Sequence, residues 1–126
     1  MKYEIIDDID VECYTTIGDM GNVTVTFLEA QSYQKECEVW VDKLKSHWDE
    51  ATKDLHTKVS DYVKNLYKED IGKYELLDIY IYLDDKMGTF GLMYRLENDI
   101  EHGLGVKFED FKIKKVGSAD TAFLDL

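Results

Sequence analysis

The sequence predicts an α+β fold, a mostly antiparallel, strongly curved sheet with one long helix packed on one face. Three observations carry that prediction. The first and last thirds of the chain alternate apolar and polar residues with a period of two, the signature of half-buried strands. The middle third carries one apolar stripe at spacings of three and four, the signature of an amphipathic helix. The gaps between alternating runs are short and filled with Gly, Asn and Asp, so neighbouring strands fold back on one another. A length of 126 residues suits a single domain spanning 1–126.

The elements follow in order. Val11 to Ile17 place Val11, Cys13, Thr15 and Ile17 on one face and Glu12, Tyr14 and Thr16 on the other. Gly18-Asp19-Met20-Gly21-Asn22 is a turn, and Val23 to Leu28 return with Val23, Val25 and Phe27 together, which predicts a hairpin. Glu36 to Asp42 alternate again and read as a third strand, unless a helix that starts early absorbs them. Ser46-x-x-Asp49 resembles a capping box, and Trp48, Thr52, Leu55, Val59, Tyr62, Val63 and Leu66 form the helical stripe. The helix is expected from Ser46 to Lys68, on the order of 33 Å long. Glu75 to Leu83 form a strand with Leu77, Ile79, Ile81 and Leu83 inward and Asp78, Tyr80 and Tyr82 outward. Asp84 to Gly88 turn the chain into a strand over Phe90 to Leu96. Leu104 to Phe108 and Phe111 to Val116 make two short strands, and Thr121 to Leu124 an edge strand. The chain contains no proline, so its turns rest on Gly, Asn and Asp.

Composition narrows the function. The chain has 15 basic and 27 acidic residues, a net charge of −12, and Arg95 is its one arginine. Nucleic-acid binding draws most of its affinity from Lys and Arg against phosphate, so no nucleic-acid partner is expected. No run approaches the roughly 20 apolar residues of a membrane-spanning helix, and no apolar leader follows Met1. Cys13 and Cys37 stand 24 apart, outside any CxxC or zinc spacing, and are expected as reduced, buried thiols. These features together predict a cytoplasmic protein.

The motifs offer little chemistry. Gly18-x-x-Gly21 and Gly103-x-Gly105 lack the strand-to-helix context of a dinucleotide or phosphate loop. Glu101-His102, with Asp99 and Asp120 in reach, is the one constellation that suggests a general base or a divalent-ion site. His102, Glu101 and Asp120 are therefore the candidate catalytic residues, although residues adjacent along a strand point to opposite faces. His47 and His56, nine apart, do not have metal-ligand spacing. Asp7, Asp8 and Asp10, with Asp84 and Asp85, make acidic clusters without an EF-hand pattern. No cofactor and no metal site is expected. The aromatic residues say more, because Tyr14, Trp40, Tyr80 and Tyr82 all fall opposite the faces assigned to the helix. Aromatic side chains ringed by carboxylates suit an interface with a basic protein, or else a second core under a curled sheet.

Glu101-His102-Gly103-Leu104-Gly105-Val106-Lys107-Phe108 followed by Val116-Gly117-Ser118-Ala119-Asp120-Thr121-Ala122-Phe123 resembles the C-terminal signature of a family of small uncharacterised bacterial cytoplasmic proteins. They carry an EHGxG strand and a VGxxD ending, and some relatives resemble immunity proteins encoded near toxins. The resemblance covers about the last 30 residues and implies structural roles around His102 and Asp120, with no catalytic residue to carry over. The expected function is a non-enzymatic acidic protein-binding domain, of which an immunity protein masking a basic toxin is one form. The alternatives are a small hydrolase or metal-binding enzyme centred on His102, and a homo-oligomer subunit whose sheet pairs with itself.

Overall fold

A computed structural model describes residues 2–124. Strands β1 (Tyr3–Ile6), β2 (Asp10–Thr16) and β3 (Asn22–Leu28) come first, followed by helices α1 (Lys35–Thr52) and α2 (Leu55–Tyr67). Strands β4 (Tyr74–Tyr82), β5 (Phe90–Leu96), β6 (Leu104–Glu109) and β7 (Lys112–Gly117) follow, and a 3-10 helix over Ala119–Ala122 ends the described chain. The strands lie in one sheet in sequence order, β1 to β7. Every neighbouring pair is antiparallel except β3 and β4, which are parallel. A parallel pair needs a long crossover, and the two helices supply it.

The expected fold class needs correction in three respects. The sheet is mixed, it is not strongly curled, and two separate helices replace the single long one. The segment read as a third strand, Glu36 to Asp42, is the beginning of α1. Its alternation was accidental, because the buried set is Cys37, Trp40, Val41, Leu44, Trp48 and Ala51, a helical stripe, and Val39 is exposed. Ser46 is not a cap: its hydroxyl donates back to the Lys43 carbonyl at 3.1 Å within α1. A straight helix from Lys35 to Tyr67 would be about 50 Å long. Seven strands spaced about 4.8 Å apart span only about 30 Å. The break at Lys53 and Asp54 lets both apolar stripes stay on the sheet. Thr52 sits beside it and donates to the Trp48 carbonyl at 2.7 Å, a bond that competes with helix continuation. Neither helix is long and apolar enough to cross a membrane.

Core residues of the strands and of both α-helices form one cluster between the sheet and the helices. Val11, Cys13, Val25, Phe27, Ile79, Ile81, Leu92, Val106 and Phe108 supply the sheet side. Cys13 and Cys37 are both free thiols inside it, and burial pushes both pKa values up, Cys13 to about 11. Leu77 departs from its expected inward place and is 46% exposed. A bulge between Leu76 and Asp78 shifts the register of β4 against β5, so Tyr74 and Leu76 face the core before it and Ile79 and Ile81 after it.

The expected edge strand Thr121 to Leu124 is absent; the segment begins inside the 3-10 helix, which lies on the opposite sheet face. Its seat is a glycine track. Gly105 pairs with Gly117 across β6 and β7, and Gly91 lies on the same face of β5. A Cβ at Gly91 would come within 1.6 Å of the Ala122 carbonyl oxygen, and one at Gly105 within 2.4 Å of that of Ser118. Only glycine leaves room for backbone to approach so closely.

Candidate functional site

The helices cover one face of the sheet and the 3-10 helix covers the β5–β7 half of the other. The β1–β4 half of that outer face is left without a covering element among the described residues. Strand register decides what stands there. Directly paired residues share a face, so Glu4, Glu12, Thr26, Tyr80, Gly91, Lys107 and Lys115 form one row across all seven strands. The row is acidic at the β1 end and basic at the β7 end.

Like charges directly opposite one another destabilise a strand pair. Glu4 and Glu12 are such a pair. Lys2, 3.6 Å from Glu4, offsets part of the repulsion. Tyr14 is 57% exposed and donates its hydroxyl to Glu12 Oε1 at 2.6 Å. Asp78 lies deeper, accepting from Thr26 Oγ1 at 2.8 Å. Its carboxyl is pushed up to about 7, first by burial and then by Glu12 and Asp10, against the lowering effect of the Thr26 bond. Burial also pushes the Tyr80 phenol up to about 12, with Asp78, Asp10 and Glu12 adding to it. The chemistry of this surface is that of hydrogen-bonded phenols and crowded carboxylates, which suits a cation.

The four expected interface aromatics separate. Tyr14 is open to solvent. Tyr82 lines a cavity of about 470 Å³ with Glu29, Asp85, Lys107 and Phe123. Tyr80 is half-buried, its ring edge-on to Phe123 at 5.2 Å and its hydroxyl 3.9 Å from Met93 Sδ, so it also fastens the 3-10 helix. Trp40 is not on this face at all. It is 2% exposed in α1 and points into the core, because the strand assumed to carry it is a helix.

The His102 constellation is a turn. His102 Nδ1 lies 2.9 Å from Asp99 Oδ2, and the His102 backbone N–H donates to Asp99 Oδ1 at 3.1 Å. Tyr67 donates to Asp99 Oδ2 at 2.7 Å, and this bond, followed by that of the His102 amide, holds the Asp99 carboxyl below its ordinary range. The His102 carbonyl accepts from the Ala119 N–H at 2.9 Å, tying the turn to the 3-10 helix. Asp120 accepts from Ser118 Oγ at 2.7 Å. The hollow of about 120 Å³ at His102 includes Glu101 but not Asp120. Asp99 and His102 are thus joined within one turn, while Asp120 pairs with Ser118 apart from them. Among the described residues no group of three or more His, Cys, Asp or Glu could hold a metal ion.

Sequence reasoning placed Glu12 and Asp78 on the outer face without singling them out. Their significance depends on Glu4 and Thr26, which only the strand register sets beside them. No family model matches the chain, and comparison with curated proteins and with solved structures found no match.

Proposed function

We propose that this chain is a non-enzymatic binding protein whose outer β1–β4 face docks a basic protein partner. One observation carries the reading: an uncovered half-face on which Glu4 opposes Glu12 and on which Tyr14, Asp78 and Tyr82 stand alongside. A partner's Lys or Arg would relieve that repulsion, and the exposed Tyr14, with the partly buried Tyr82 on the same face, would supply contact area. The same carboxylates would repel a nucleic-acid backbone. Two free, buried thiols suit a reducing cytoplasm. The resemblance of the C-terminal signature to small bacterial proteins with immunity-like relatives makes a toxin-masking immunity protein the form we favour.

Affinity purification from native host extract tests it, with wild type and a Glu12→Lys/Tyr14→Ala/Tyr82→Ala variant as baits at two salt concentrations. One stoichiometric basic protein, held by wild type at the higher salt and lost by the variant, is the expected result. Identical proteins on both baits would place the interface elsewhere or show charge alone at work.

A further inference from the structure

The two edges of the sheet are managed differently. An edge strand presents unpaired N–H and C=O groups to any extended chain that meets it, and lysines are the usual guard against this. Strand β7 has that guard in Lys112, Lys114 and Lys115, and it packs against both helices and the 3-10 helix. Strand β1 has no lysine within Tyr3–Ile6, and its main packing is with β2. Among the described residues, no hydrogen bond from outside the sheet reaches the backbone of Tyr3, Glu4 or Ile5. Ile5 is 56% exposed and Ile9, in the adjoining turn, 49%.

We infer that β1 is a second recognition element, at which an extended basic segment of a partner protein adds an eighth strand to the sheet. The identity of the partner rests on the docking reading above. Charge selects it: residues 1–12 hold Glu4, Asp7, Asp8, Asp10 and Glu12 against Lys2 alone. Backbone pairing along β1 gives affinity, Ile5 offers an apolar contact, and the carboxylates favour lysine or arginine on the incoming strand. A second copy of this chain fits less well, because two β1 edges would bring the same carboxylates together and each chain carries −12.

Amide exchange and chemical shifts of the isotopically labelled full chain test this with two capped peptides of equal charge. One alternates lysine and valine over six residues. The other alternates lysine and proline, whose rings hold φ near −65° and remove every second amide, so it pairs poorly as a strand. The expected result is that the valine peptide slows exchange at the outward amides of β1 by about tenfold or more, and the proline peptide does not. Ile5→Lys should weaken the valine peptide about tenfold through edge-charge repulsion while the fold persists. Shifts at Tyr14 and Tyr82 with unchanged β1 exchange, alike for both peptides, would overturn the edge inference and leave the docking face standing. Protection of β1 without shifts at the tyrosines would uphold the edge and remove the face. Protection at β7 instead, protection of β1 by self-association without peptide, or no effect from either peptide would each overturn the inference.

Discussion

Asp78 shows how one residue's meaning depends on its neighbours. Its folded pKa of about 7 lies above its ordinary 3.8. The folded state therefore holds the proton more tightly than the unfolded chain. The resulting stability is fully present below pH 3.8 and is lost as the pH rises through 7. Asp99 and Glu109 act in the opposite sense, since their lowered pKa values contribute stability that fades on acidification through the folded values. Asp78→Asn keeps an oxygen for Thr26 and removes the ionisation. It should flatten the slope of unfolding free energy between about pH 4 and 7 and, with allowance for solvent screening, stabilise at pH 8 by about 1–2 kcal/mol; urea denaturation from about pH 4 to 8 measures both. Tyr3 is a second case. Its hydroxyl is buried without a hydrogen-bond partner among the described residues, near the Phe27 and Tyr33 rings, and burial raises its pKa. Tyr3→Phe should therefore stabilise by about 1 kcal/mol in the same assay.

Among the elements, the C-terminal 3-10 helix is the one whose role is hardest to see in its own residues. Four residues are too few to hold themselves, and they depend on the seat formed by Gly91, Gly105 and Gly117. Gly105→Ala should cost about 2–4 kcal/mol, because its Cβ would meet backbone that can move only by leaving the sheet. Gly21→Ala makes a useful contrast: the glycine has a φ of +77° but nothing among the described residues within 4 Å of an added Cβ, so only backbone strain of about 1 kcal/mol is expected. Thermal unfolding of the two variants distinguishes lost seating from strain. The motif Glu101 to Gly105 and Val116 to Asp120 thus reads as the parts of a cap: glycines for the seat, the His102 carbonyl for Ala119, and Ser118 with Asp120 for the entry.

At the scale of the whole molecule, charge is the governing quantity. A net charge of −12 on 126 residues opposes compaction. Raising sodium chloride from about 10 to 200 mM shortens the screening length from about 30 to under 10 Å, and the melting temperature should rise by about 2–4 °C. Calorimetry at several salt concentrations checks this, and a melting point that falls with salt would mean that attractive pairs outweigh the repulsion. The outer face is polarised as well, with Glu4 and Glu12 at one end of the cross-strand row and Lys107 and Lys115 at the other. An approaching basic surface would therefore be oriented before contact.

The sequence by itself determined the strands whose apolar residues alternate, from Val11 in β2 to Val116 in β7, because a period of two marks one strand face for burial whatever element packs on it. It also placed Tyr14, Asp78, Tyr80 and Tyr82 opposite the core. It did not determine Glu36 to Asp42, where a helical stripe and an alternating run coincide over seven residues and only packing onto the sheet chooses between them. The helix break has no proline to announce it, and the apolar stripe runs on from Trp48 and Thr52 to Leu55 and Val59 across it. The pairing of Glu4 with Glu12, the bond from Thr26 to Asp78 and the seating of Ala122 over Gly91 join residues distant in sequence. Such contacts exist only once strand order and register are fixed, so the tertiary structure alone decided where the acidic surface lies and which half of the sheet stays open.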